Sequence, residues 1–218
     1  MKTLYLDVCV LSRPFDDQNQ LRIRLETDAV FLILRRIETG LYRTVVSPAH
    51  YKEVSAIRET SERLEMESLL SRLDKSCECD LIQARHRAGA LIDMGFGIAD
   101  AAHVAFAEQL AEFFITCDDK LLKWCKQTAA HHHDEPARIH SSGGIMTTET
   151  VMTEEQLIRQ ATNALIDNLG VMEATRFLTI KRQGRLESVE RHRLWQSELD
   201  KEKFFDEIFT PEGHKLAL

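Results

Sequence analysis

Four acidic residues, Asp7, Glu53, Asp100 and Asp118, fall where strands end or helices begin, the places from which side chains project over the edge of a sheet. Four carboxylates in one pocket repel each other and raise one another's pKa, so such a cluster is stable chiefly when a divalent cation neutralises it. Hard oxygen ligands favour magnesium or manganese. A metal held this way lowers the pKa of bound water and stabilises the leaving oxygen of a phosphodiester, which is hydrolysis without a covalent enzyme intermediate.

The elements around these acids follow from apolar spacing. Residues 3–9 (TLYLDVC) read as a buried first strand with Asp7 at its C-terminal end, and residues 44–46 as a second short strand. Ser47-Pro48 is a helix-start signature, which puts Glu53 on the second turn of the helix it opens. Residues 20–38, 61–73 and 80–93 carry helical periodicity, with Gly40 and Gly95 closing the first and last. Cys77 to Cys79 is a possible strand, residues 98–110 an Ala-rich helix that begins just before Asp100, and residues 113–116 an apolar strand. Asp118 then opens a helix reaching about Gln127. Strands alternating with helices predict an α/β fold with a parallel sheet, and in such sheets ligands bind beyond the carboxyl ends of the strands.

Residues 128–150 lose periodicity and gather His, Pro, Ser and Gly, which marks a linker. Beyond it, Thr153-Glu154-Glu155-Gln156 resembles a capping box, and helices are predicted over 153–169, 171–182 and 187–202, with Gly170 between the first two. The expected organisation is therefore an α/β domain over 1–127, a linker over 128–150 and a small all-α domain over 151–218.

Composition narrows the classes. With 44% hydrophobic and 29% charged residues and no run of about 18 to 20 apolar residues, a membrane span is not expected. Met1-Lys2-Thr3 leads straight into an acid-bearing strand unlike a secretory leader, so a cytoplasmic location is expected. Five cysteines form no framework and read as free thiols; Cys77-x-Cys79 is half a metal site with no second pair to complete it. The net charge of -7 is shared, with 18 basic against 22 acidic residues up to Ile145 and 10 against 13 after it, so neither part is a basic clamp for duplexes. No Gly-rich phosphate loop, dinucleotide fingerprint or nucleophile triad is recognisable.

The stretch from Leu4 to Gln18, LYLDVCVLSRPFDDQ, resembles the opening of PIN-domain proteins of the bacterial toxin type (VapC-like). The Ser47-Pro48 helix with Glu53, the segment Ile98-Ala99-Asp100-Ala101-Ala102-His103, and Phe114 to Leu122 (FITCDDKLL) match the same family in order, so the likeness covers Lys2 to about Gln127. The resemblance implies a PIN-like sheet flanked by helices and a metal-dependent endoribonuclease. Its acids fall on Asp7, Glu53, Asp100 and Asp118, with Asp7, Asp100 and Asp118 as expected ligands of Mg2+ or Mn2+. Thr116 corresponds to a supporting hydroxyl, and Asp119 is a second choice for the fourth acid. A homodimer is also implied. Two departures stand out: Val8 replaces a common Thr, and the usual last strand is missing, Ile139-His140 giving way to Ser141-Ser142-Gly143-Gly144. His103 reads as a helix residue packing near the site, and His131-His132-His133 as a linker tract.

Residues 165–178 resemble a small helical antitoxin of the kind encoded beside such nucleases, and Met146 stands where that protein could start. The chain thus reads as toxin and antitoxin joined, the second part inhibiting the first in cis or from a neighbouring chain. An antitoxin of this kind lays a helix across the groove and sets an Arg near the acids; Arg176, Lys181, Arg182 and Arg185 are candidates, while Arg13, Arg22 and Arg24 are candidates for contacts to an RNA backbone. The rival reading is a catalytically silent complex that binds operator DNA through a helix-turn-helix around Gly170. Aspartyl-phosphate phosphatases also begin with a strand ending in Asp, but need a second Asp where this chain has Cys9.

Overall fold

The computed structural model describes residues 1–73, 78–131, 138–139, 152–179 and 186–210, with the side chains of 129–131 and 138–139 left aside. The chain is α/β, and four parallel strands form one sheet in the order β2-β1-β3-β4. These are β1 (Lys2–Leu6), β2 (Tyr42–Val45), β3 (Phe113–Ile115) and β4 (Arg138–Ile139). The last strand is therefore present, inside the stretch expected to be a linker; two residues are too short to carry an alternating pattern that could have revealed it.

The first strand is shorter than its apolar run suggests. It stops at Leu6, Asp7 accepts the N–H groups of Val10 and Leu11, and Val8–Ser12 forms α1, followed by a tight 3-10 turn at Arg13–Phe15. A short buried run cannot be divided between strand and helix from its sequence alone. Then come α2 (Leu21–Glu38), α3 (Pro48–Ser55), α4 (Thr60–Leu73), α5 (Leu81–Asp93), α6 (Ile98–Leu110) and α7 (Asp119–His131). Cys79 belongs to no strand, and Cys77 lies outside the described residues.

Successive residues of β1 point to opposite faces of the sheet, which explains two cores. Tyr5 belongs to one, with the small faces of α5 and α6 (Ala84, Ala88, Ala101, Ala105); Leu4 and Leu6 belong to the other, with Met66 and Leu70 of α4 and Ile33 and Ile37 of α2.

Contacts divide the chain into two compact units, Met1–Gly143 with Leu186–Leu218, and Gly144–Arg185. The stretch 151–218, expected as one helical domain, is thus split. Its last two helices, α9 (Ser188–Ser197) and α10 (Lys201–Ile208), replace the single helix expected over 187–202; the break lies at Asp200, whose carboxylate caps α10 by accepting the N–H of Lys203. Phe204, Phe205, Ile208 and Phe209 complete the first core around Tyr5 and Phe106, so these helices are part of the α/β unit. The second unit holds α8 (Glu154–Leu178), capped by Thr153 and kinked at Gly170, whose positive φ of 78° is a conformation natural to glycine. Its Leu157, Ile158, Val171 and Met172 are exposed. Among the described residues no helix is long and apolar enough to cross a membrane.

Candidate metal centre

The parallel sheet carries Asp7 at the end of β1 and Asp118 just past β3, side by side because Leu6 pairs with Ile115. The two helices that bring Glu53 and Asp100, α3 and α6, pack against each other beside β1. Four residues up to 111 positions apart thereby reach one side of the sheet, and each is fixed there differently.

Asp7 is buried, and its Oδ2 accepts from the Thr116 hydroxyl at 2.7 Å and the Cys9 thiol at 3.0 Å, while Oδ1 accepts no hydrogen bond among the described residues. Burial raises its pKa above the usual carboxylate range. The expected supporting role of Thr116 has its contact here. Cys9 stands where an acid was looked for and not found; burial above all keeps its thiol protonated and able to donate.

Glu53 is also buried, yet its pKa is held well below the ordinary range. Burial alone would raise it; His192 and His103 more than offset that, with His192 Nδ1 2.8 Å from Oε1 and His103 Nε2 3.2 Å from Oε2. Asp100, in the first turn of α6, meets His192 Nε2 at 3.0 Å through Oδ1 and accepts from the Gln196 amide at 2.9 Å through Oδ2. Asp118 accepts the backbone N–H groups of Lys120 and Leu121, and Arg193 grips it with both prongs at 2.6 and 3.0 Å. Burial opposes its charge, but Arg193 and the two N–H groups keep its pKa low.

Three of these partners, His192, Arg193 and Gln196, come from α9. Burial works against a charge on His192, but Glu53 and Asp100 on its two nitrogens raise its pKa well above the usual value, so it bridges them as an imidazolium. The N-terminal end of α9 is tied down separately: Arg13 is buried among Asp16, Glu26 and Glu187, and Asp16 accepts both the N–H and the hydroxyl of Ser188. Arg191 pairs with Glu62. Arg13, read as an RNA contact or inhibitory residue, is thus an anchor for α9.

Two further sequence candidates have partners of their own. Asp119 is exposed and held by Arg22 at 2.6 and 2.9 Å, away from the four acids' contacts. Arg176 pairs with Glu173 on α8, and Lys181, Arg182 and Arg185 lie outside the described residues. The cations that meet the acids are His192 and Arg193 instead. Sequence reading missed them because a His-Arg pair on a short charged helix looks like a solvated face; the one signal was Gln196 four residues after His192, on the same face.

His103 packs near the site, as its place in α6 led one to expect. It offers a nitrogen which, with one oxygen each of Asp7 and Glu53, forms a buried group of three potential metal ligands, all within 4.8 Å of one another. This overlaps the expected ligand set only at Asp7. A metal bonds such donors at about 2.0–2.2 Å, which places them roughly 3–4 Å apart, so little contraction is needed. Behind His103, Tyr5 puts its hydroxyl 2.8 Å from Nδ1 and 2.6 Å from the Ser47 hydroxyl. His50 closes this buried chain: Nε2–H donates to the Leu6 carbonyl and Nδ1 accepts the Ser47 N–H, while burial and the nearby His103 push its pKa down to about 3 and keep it neutral.

A substitution can loosen α9 without touching an acid. Gly97 has ordinary backbone angles, but a Cβ there would collide with the Gln196 amide, the far end of a flexible side chain. In Gly97→Ala, Gln196 swings out and loses its bonds to Asp100 Oδ2 and the Asp100 N–H. At about 1–3 kcal/mol for the pair, hydrogen exchange across α9 accelerates about 5- to 150-fold while α10 stays protected. Unchanged exchange in α9 would show that Gln196 contributes nothing to its seating.

Comparison with known protein families, with characterised proteins and with solved structures finds no match to this chain.

Proposed function

We propose that the chain is a metal-dependent endoribonuclease of the PIN kind, kept closed by its own helix α9. The supporting observation is the convergence of Asp7, Glu53, Asp100 and Asp118 beyond the carboxyl edge of a parallel sheet, where cationic side chains of α9 meet Glu53, Asp100 and Asp118. The residues suit a divalent cation by charge. The α9 side chains His192 and Arg193 pair with Glu53, Asp100 and Asp118, whereas the Asp7 carboxylate meets only the Thr116 hydroxyl and the Cys9 thiol among the described residues, which leaves it for an ion to engage.

Asp7 and Glu53 are the carboxylates that would hold the dication, with Asp100 and Asp118, which α9 engages, completing the acidic wall. The bound ion supplies a nucleophilic water and stabilises charge on the phosphodiester. The chain itself does the positioning: Thr116 and Cys9 fix Asp7, the N–H groups opening α7 aim Asp118, and α9 covers the carboxylates so that RNA is kept away. Inhibition is in cis, by residues 187–196, and a PIN-like homodimer and a cytoplasmic setting accompany this reading.

The test is cleavage of single-stranded RNA by a chain whose α9 is released. Cleavage should require Mg2+ or Mn2+, stop with chelator, and fall at least about 100-fold in Asp7→Asn, the scale on which loss of one essential catalytic group is felt. Chelator-resistant cleavage, or full activity in Asp7→Asn, would refute the assignment.

A further inference from the structure

We infer that His103 is a metal ligand, so that the site made by Asp7, Glu53 and His103 selects a transition dication of the manganese, iron, cobalt or zinc class over magnesium. This rests on the metal-dependent reading above, and it names the ion that reading leaves open. Carboxylate oxygens alone suit magnesium, whereas an imidazole nitrogen adds a borderline-soft donor that magnesium accepts poorly.

Two observations beyond the ligand cluster point to an ion. Asp7 is buried, and its Oδ1 is left without a hydrogen-bond donor among the described residues, although Oδ2 has two. His103, in turn, is backed in the way metal-bound histidines are: its far nitrogen faces the fully buried Tyr5 hydroxyl, which itself rests on Ser47. In the tautomer protonated at Nε2, His103 donates to Glu53 Oε2, 3.2 Å away. When an ion takes Nε2, Nδ1 carries the proton instead and donates to Tyr5, whose O–H turns toward Ser47. Both hydroxyls donate and accept, so the relay reverses with no atom displaced. α9 need not move, because His192 and Arg193 contact Glu53 Oε1, Asp100 and Asp118 and leave the facing atoms of Asp7 and His103 alone.

The experiment uses the full chain and Mn2+ itself, with pulsed electron paramagnetic resonance and competition by Mg2+. One Mn2+ should bind with nitrogen coupling and displace Mg2+ readily. His103→Asn keeps a polar nitrogen for Tyr5 but removes the ligating position. It should lose the coupling, bind Mn2+ about 10- to 100-fold more weakly, and lose most of the preference over Mg2+. His192→Gln should keep the coupling. Tyr5→Phe, which retains the packed ring, should weaken Mn2+ binding with the coupling preserved and so answers the question if His103→Asn does not fold. Binding without nitrogen coupling, or coupling that survives in His103→Asn and vanishes in His192→Gln, overturns the inference. Mn2+ bound through His103 in a chain that cleaves no RNA after release of α9 would instead sink the nuclease reading and leave the ligand assignment intact. Absence of any Mn2+ binding defeats both.

Discussion

Replacing His192 and Arg193 together by Ala in the full chain is expected to raise metal-dependent RNA cleavage by about 100-fold or more. His192 carries most of the effect. It is buried and makes two charge-assisted contacts, to Glu53 and Asp100, each on the order of 1.5–3 kcal/mol. Arg193 is 48% exposed, so its fork on Asp118 is screened and is worth about 0.5–1 kcal/mol. Together the losses reach at least about 3 kcal/mol, and every 1.4 kcal/mol is a factor of ten in the population with α9 undocked. The single variant Arg193→Ala should therefore gain only about two- to fivefold, and His192→Ala most of the rest. Release is followed separately through Trp195, which lies 5.9 Å from the His192 ring. A double variant whose Trp195 emission reports release, yet which cleaves no more RNA than the parent, would end the autoinhibition reading.

The acids were legible because each sits beside an apolar run or a helix-start signal, and those local patterns survive folding: Asp7 after TLYL, Glu53 after Ser47-Pro48, Asp100 after Gly97, Asp118 after FFIT. What was not legible is what opposes them. His192 and Arg193 lie on a helix whose partner is 70 to 140 residues away, and helical periodicity names a face but never its partner. His103 is a related case: a histidine within an Ala-rich helix reads as packing near the site, and only the fold brings Tyr5 and Glu53 to its two nitrogens. The boundary at 151 came from composition. A break in composition marks a loop, whereas a domain is decided by which apolar faces meet, and the face of Phe204, Phe205, Ile208 and Phe209 meets α6.

That last packing makes a test of its own. Phe204→Ala is expected to lower the unfolding free energy of the α/β unit by about 3–5 kcal/mol, since a fully buried aromatic is replaced by a cavity. For a chain of this size the loss corresponds to a melting temperature lower by roughly 6–20 °C. Phe204 also touches Trp195 at 5.9 Å between ring centroids, and beside it Phe209 stacks on Phe106 at 5.0 Å, so the damage spreads into both α9 and α6. Met172→Ala, at a site 70% exposed on α8, should by contrast shift stability by no more than about 0.5 kcal/mol. Were α9 and α10 an independent inhibitory domain, Phe204→Ala would leave the main unfolding transition in place and only release the inhibitor. The packing predicts the opposite: α10 is a permanent part of the core, and α9, anchored through Val189 and Trp195, turns its His192 and Arg193 side onto the acids. Cutting the chain before residue 186 to free the nuclease should therefore expose the Tyr5 and Phe106 core and give an aggregating protein, whereas substitutions confined to α9 open the site and keep the fold.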